Sequence, residues 1–292
     1  MSQLRHTLQL LANRALRWLP EPAEPIDWQQ TLAARWHTDG RGHGQLRALT
    51  PRLDQSFDGL IGVERQITEF RANLELFIQG MPANATLLWG ARGTGKSSMV
   101  RAALSAYHTK GLRIVEVDKT QLSDLPAIVE QIRQQPFSFL IYCDDLTFED
   151  GERAYAGLKT VLDGTLEEFG SNVLVVCTSN RRHLVAEPAS ENLQATSAHG
   201  EIHQGDAIEE RISLSDRFGL WLSFYQYPQE TYLKIVEHWY GEFAKQHDWP
   251  PFDRAAIEVA ANRFAIARGG RGGRVARQFV IDWMAKQLLS QK

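Results

Sequence analysis

Cysteine is scarce in this chain. Two cysteines among 292 residues, Cys143 and Cys177, exclude a disulfide framework and a cysteine-based zinc site. Both sit inside apolar runs, where a reduced, buried thiol is the ordinary state, and the expected compartment is the cytoplasm. No apolar run is long enough to span a bilayer, and the first residues lack the apolar core of a secretion signal. An excess of one charge is missing too: 32 Lys and Arg against 35 Asp and Glu leave a net charge of -3. No global field therefore draws the chain to nucleic acid, and such binding would need a local patch. Internal repeats and low-complexity tracts are absent. The remainder, 43% hydrophobic and 23% charged, is ordinary for a globular protein. The length suffices for a substantial core and for more than one module.

Residues 3–19 place Leu4, Leu8, Leu11, Ala15 and Leu16 at helical spacing, with Arg5, Arg14 and Arg17 elsewhere around the helix. Such a basic amphipathic helix lies on a membrane, grips a partner or, most commonly, packs on its own domain. Pro20, Pro22 and Pro25 stop it. A shorter helix is expected over Asp27–Trp36, and His37 through Gly44 reads as a mobile loop. From Leu60 the pattern alternates between apolar strands and amphipathic helices, the signature of a mainly parallel α/β sheet. Strands are expected near Thr86–Trp89, Leu112–Val117, Phe137–Cys143, Val173–Thr178 and Leu220–Phe224. Helices are expected near Lys96–Tyr107, Leu125–Gln134, Arg153–Leu166 and Ala207–Phe218. After Pro228 only helical patterns remain, over Glu230–Gln246, Asp253–Ala267 and Arg274–Leu289.

The strongest local signal is Gly90-Ala91-Arg92-Gly93-Thr94-Gly95-Lys96-Ser97, a full match to G-x-x-x-x-G-K-[ST]. It follows the apolar Ala85–Trp89 and opens, through Ser98, onto a helical pattern. Strand, glycine-rich turn and helix start are the context that makes this pattern a phosphate cradle. Glycines admit φ > 0 and a close approach of main chain to anion. The loop amides and the positive helix end then hold α- and β-phosphates. Lys96 is placed to reach the β- and γ-phosphates and the Ser97 hydroxyl to ligate Mg²⁺. The implied ligands are ATP and Mg²⁺. The fold class expected is thus α/β: a P-loop αβα core around a five-stranded sheet, with a C-terminal helical lid and an N-terminal helical segment. Boundaries fall at 1–56, 57–227 and 228–292.

A second signal is Phe139-Leu140-Ile141-Tyr142-Cys143-Asp144-Asp145, an apolar strand delivering two carboxylates at its C-terminal edge, where parallel sheets bind ligands. Asp144 suits the Mg²⁺ shell, which takes few protein carboxylates and keeps several waters. Asp145 stands where an acid can polarise attacking water. Val173–Asn180 repeats the design and ends in Asn180, whose amide both donates and accepts.

The order of these elements resembles an AAA+ ATPase, with a Walker A loop, a Walker B acid pair and a polar sensor 1. The strings GARGTGKSS, CDDLTFE and LSDRFGL resemble a bacterial group of predicted ATPases catalogued as DUF815, over roughly residues 57–290. The resemblance implies that Leu60–Gln66, with Ile61 and Gly62, lines the adenine pocket. It implies that Arg217 is an arginine finger reaching a neighbouring subunit, and so a homo-oligomer. It also implies that Arg274, with Arg277 one turn further as the reserve, is the sensor 2 arginine of the lid. One position departs from the pattern: AAA+ proteins place Glu after the Walker B Asp, and here Asp145 is one methylene shorter, by about 1.5 Å. A misplacement of that size costs on the order of a hundredfold in rate, so slow turnover is expected, with Glu149 a nearby substitute.

Residues 181–206 contain His183, His199 and His203 at spacings that fit no metal site. A client-contacting loop is the better expectation. Three function classes follow: an oligomeric remodeller driven by ATP hydrolysis, a slow nucleotide switch or loader acting on DNA or protein, and, least favoured, a small-molecule kinase.

Overall fold

The computed structural model describes residues 25–39, 43–147, 155–163, 171–180, 216–247 and 249–290. The helix expected over 3–19, most of that over Ala207–Phe218, Glu149 and the three histidines of 181–206 lie outside the described residues.

Among the described residues seven strands form one sheet: β1 (Ala33–Thr38), β2 (Gly44–Leu49), β3 (Thr86–Gly90), β4 (Leu112–Glu116), β5 (Ser138–Cys143), β6 (Val173–Ser179) and β7 (Leu220–Phe224). Their order is β2-β1-β4-β5-β6-β3-β7. Only β1 and β2 pair antiparallel; every other neighbour is parallel. The strands from β3 to β7 read as continuous apolar runs because both faces are covered. Leu87 and Leu88, adjacent in sequence, are both fully buried, one in each of the two core layers.

Seven α-helices accompany the sheet among the described residues: α1 (Glu64–Ile78), α2 (Lys96–Tyr107), α3 (Leu125–Ile132), α4 (Tyr155–Asp163), α5 (Gln229–His247), α6 (Arg254–Ala267) and α7 (Gly273–Ser290). Helix α3 buries Leu125, Ile128, Val129 and Ile132, a spacing of three and four that turns one stripe to the core. Helix α1, which the pattern had not marked, buries Phe70, Asn73, Leu74 and Phe77. Its Asn73 fixes the start of β3: Nδ2 donates to the Asn84 carbonyl at 2.8 Å and Oδ1 accepts from the Asn84 amide at 2.9 Å. In the C-terminal helices Tyr232 is fully buried and donates to the Ala261 carbonyl at 3.3 Å. Asp253 caps α6 by accepting from the Ala255 and Ala256 amides.

Two expectations are corrected. The sheet has seven strands, not five, and the helix expected over Asp27–Trp36 is replaced by strand β1 with its hairpin partner β2. The reason is side-chain alternation. Ala34 and Trp36 go into one core layer while Ala33 goes into the other, a period of two rather than 3.6. Trp36 donates through Nε1 to Asp124 at 2.9 Å, and Arg35 pairs with Glu116 of β4 at 2.9 Å. Gly44 lies under the Trp36 ring, where a Cβ would come within 1.8 Å of it. Arg113 anchors the preceding segment: its buried guanidinium donates to the carbonyls of Trp28, His108 and Leu112 and stacks 4.1 Å over Phe137. Cys143 and Cys177 stand opposite each other in the β5–β6 register, both buried and both free. No described helix is long and apolar enough to cross a membrane.

Candidate functional site

Strands β5, β6 and β3 are neighbours, so their C-terminal ends bring Asp144, Asn180 and Gly90 to one edge of the sheet. That edge lies where consecutive strands depart in opposite directions, the crevice in which open α/β sheets hold ligands.

The loop after β3 needs its glycines. Gly90 has φ 127°, and a Cβ there would meet the Phe224 carbonyl at 1.9 Å, while the next amide, that of Ala91, donates to the same oxygen at 2.8 Å. Gly93 and Gly95 have φ 73° and 103°, and Gly95 caps helix α2. Thr94 Oγ1 closes the turn on the Ala91 carbonyl at 2.7 Å. Arg92 stands near enough to add its positive charge beside Lys96, and Ser98 continues the first turn of α2.

Lys96 is largely buried, and its Nζ donates to the carbonyls of Gly90 at 2.7 Å and Ala91 at 2.8 Å and to Asn180 Oδ1 at 3.2 Å. Burial lowers its pKa to about 8, against the pull of Asp144 and Asp145. Asn180 in turn donates through Nδ2 to Asp145 Oδ1. One chain of contacts therefore runs from the loop lysine to the second acid. A parallel chain runs through Ser97, whose Oγ donates to Asp144 Oδ1 at 3.0 Å. Burial pushes the Asp144 carboxyl up, but the hydroxyls that Thr178 and Ser97 donate to it, with the Tyr142 hydroxyl close by, outweigh burial and hold it below the ordinary carboxylate value. The Tyr142 hydroxyl itself is buried without a hydrogen-bond partner.

The C-terminal helices close over the loop. The Arg274 amide donates to the Gly93 carbonyl at 3.3 Å, and a Cβ at Gly272 would lie 3.1 Å from that same oxygen. Tyr227 ties the two parts: its hydroxyl donates to the Thr94 carbonyl at 2.6 Å and its amide to the Arg271 carbonyl at 3.0 Å. Gly62, at φ 81°, faces Thr231 and the Tyr227 ring, where a Cβ would lie 2.4 Å from Thr231 Cγ2. Leu60 reaches to within 3.8 Å of the Cβ position of Gly95, so Leu60–Gly62, with Ile61 between, lies beside the phosphate loop.

Two arginines are placed differently. Arg277 lies over the rings of Trp239 and Phe243, 5.4 and 5.6 Å from their centroids, which engages it in lid packing and leaves Arg274 at the loop. Arg217 sits in the turn before β7. Since Leu220 pairs with Thr86, the first residue of β3, Arg217 is at the opposite end of the sheet from the loop, about 15 Å away along five residues of strand.

Three residues of this site went unassigned in the sequence: Tyr227, Tyr142 and Thr178. Only Thr178 carried a local signal, a hydroxyl closing an otherwise apolar strand beside a second polar residue.

The donors fit the implied groups. Ser97 and Asp144 present oxygens only, as Mg²⁺ prefers. Among the described residues no cluster of three or more His, Cys, Asp or Glu forms a cage of its own. The unmet Tyr142 hydroxyl beside Asp144 suits the hydrated shell of such an ion. For a triphosphate, Lys96 spends its donors on loop carbonyls, contacts a phosphate can replace.

A family model matches residues 29–287 of this chain. The chain belongs to the family described as Protein of unknown function (DUF815). No curated protein matches it. Among solved structures, the DUF815 chain is similar to the RuvB Holliday junction branch migration motor of Thermotoga maritima. It is 18% identical there, over 77% of this chain and 63% of that one, with a TM-score of 0.51. A variant of the same motor gives 17% identity, 81% and 67% coverage and a TM-score of 0.56. The AAA domain of FIGL-1 in complex with ADP gives 16% identity, 79% and 72% coverage and a TM-score of 0.50. The DUF815 chain thus has the AAA+ fold, and it spans 63% to 67% of the branch migration motor's own length.

Proposed function

We propose that this chain binds ATP with Mg²⁺ at the loop between β3 and α2 and hydrolyses it to ADP and phosphate. The observation that carries this is the convergence of Lys96, Ser97, Asp144, Asp145 and Asn180, from three strand ends, on a glycine loop roofed by Arg274. Loop amides, Lys96 and Arg274 bind the phosphates; Leu60–Gly62 borders the base. Ser97 and Asp144 would hold Mg²⁺, which supplies charge neutralisation across the phosphate oxygens. Asp145 orients the attacking water and takes its proton, and Asn180 fixes that carboxylate while touching Lys96.

Arg217 lies too far from its own loop to serve it, so it acts on a neighbouring copy in a homo-oligomer, supplying positive charge in trans as nucleotide turnover proceeds. Coupled motion of lid and subunits would remodel a protein client. A second reading, a slow nucleotide switch, is favoured by Asp145 itself: it is shorter than the usual Glu and is held by Asn180. A lid over 228–292 belongs to this proposal, as does a nucleotide domain that ends at 227 and takes in β1 and β2 ahead of residue 57.

The test is phosphate release in Mg²⁺ and ATP by the wild type and by Asp145→Asn. The variant keeps ATP affinity and loses release. Equal release by both removes Asp145 as the base. An absence of any release from the oligomeric wild type turns the assignment to the switch.

A further inference from the structure

One residue outside the familiar set touches both acids. Thr178, fully buried at the end of β6 (1% exposed), donates through Oγ1 to Asp144 Oδ1 at 2.5 Å. The same oxygen accepts from the Asp145 amide at 2.8 Å. Its backbone carbonyl accepts from the Leu146 amide at 2.7 Å. A threonine hydroxyl has one proton to give. With that proton committed to Asp144, the lone pairs are what remain for Asp145, so the two bonds fix each other's direction.

What they hold is unusual. Asp145 is the one non-glycine residue with positive φ, 55°, among the described residues. A side-chain-bearing residue stays in the left-handed region only when its surroundings over-determine it. Here the amide is tied to Thr178 and the carboxylate to Asn180. Asp144 is shared between Thr178 and Ser97. We propose that Thr178 is a positioning residue whose single hydroxyl clamps the metal-side acid and the water-activating acid into one rigid unit, and that this clamp sets the aim of the short Asp145 carboxylate. Without it, Asp144 keeps Ser97, while Asp145 loses the amide contact that holds its backbone. The loss falls on the chemical step rather than on nucleotide binding, which the loop, Lys96 and Arg274 provide. The clamp rests on the hydrolytic role proposed above for its catalytic meaning, but not for its existence.

The test uses Thr178→Val, which keeps the shape and removes the hydroxyl, together with Thr178→Ala and Thr178→Ser, which differ from each other by that hydroxyl alone. In nucleotide-free, full-length protein, hydrogen exchange at the Asp145 amide is expected to accelerate about tenfold or more in Val and Ala and to stay slow in Ser. In steady-state assays with Mg²⁺ and ATP, kcat is expected to fall about tenfold or more in Val and Ala, with KM within about threefold, and Ser to recover most of it. An Asp145 amide equally protected in wild type, Ala and Val overturns the clamp. A Ser variant as impaired as Ala overturns it too, as does a rise in KM that matches the fall in kcat. Should Val fail to fold, the Ser and Ala pair decides alone. A wild type that turns over no ATP defeats the hydrolytic role instead, and amide exchange then decides the clamp by itself.

Discussion

Lys96 makes a pH-dependent prediction that can be worked from its surroundings. Its ammonium is buried against the carbonyls of Gly90 and Ala91 and the amide oxygen of Asn180. Burial brings its pKa from 10.5 to about 8; Asp144 and Asp145 oppose that, and Arg92 and Arg274 reinforce it. A bound triphosphate brings several negative charges to the same nitrogen and raises its pKa again. Binding must therefore take up a proton. The uptake is about 0.5 proton per ATP at pH 8 and about 0.1 at pH 7, from the fraction of Lys96 that is neutral beforehand. The phosphate's own titration lies near pH ~6 and does not interfere at pH 8. Affinity is expected to fall about fivefold between pH 8 and pH 9. Calorimetry of ATP binding at pH 8, in buffers of different ionisation enthalpy, reads the uptake as the slope of observed heat against buffer enthalpy, and Lys96→Met removes it. A wild-type slope of zero at pH 8 refutes the buried, loop-bound lysine. For folding the sign is opposite to that of a stabilising ion pair. The unfolded lysine binds its proton up to 10.5, so nucleotide-free protein gains stability as pH rises from about 8 toward 10.5.

Other consequences can be checked as directly. Arg217→Ala is expected to bind ATP as the wild type does but to lose hydrolysis by about 10³-fold or more. Mixing it with Asp145→Asn should restore some activity, since an intact Arg217 then meets an intact Asp145 across mixed interfaces; a strictly monomeric protein by light scattering with a non-hydrolysable ATP analogue contradicts this. Gly44→Ala puts a methyl group into the buried Trp36 ring, which should cost about 1–3 kcal/mol and lower the melting temperature by several degrees. An unchanged melting temperature would mean that the hairpin does not pack on the sheet as described.

Much of the site was legible because its residues are adjacent in sequence. The glycine loop is eight consecutive residues, and Lys96–Tyr107 forms the expected helix with the expected bounds. The apolar runs ending in Asp144 and Asn180 declare their strands because parallel strands are buried on both faces. What escaped depends on partners far along the chain. Strand β1 is short, and its alternation gains meaning only from Asp124 and Glu116, which receive Trp36 and Arg35. Helix α1 is rich in polar residues, so its stripe of Phe70, Asn73, Leu74 and Phe77 is thin until the start of β3 lies against it. Tyr227 joins the phosphate loop to the lid through Thr94 and Arg271, and no local pattern announces such a bridge. Thr178 was visible as a residue type, but its two hydrogen bonds, given to the Asp144 carboxylate and accepted from the Asp145 amide, follow from β6 lying beside β5.

Every role proposed for these residues depends on nucleotide binding at the loop after β3. Its most direct test is calorimetric titration of ATP, with Mg²⁺ at pH 7, into the wild type and Lys96→Ala. Removing a charge-assisted phosphate contact costs about 1.5–3 kcal/mol, so affinity is predicted to fall by about tenfold or more while the variant keeps the wild-type melting temperature to within a few degrees. Equal ATP affinity for the two proteins contradicts the account.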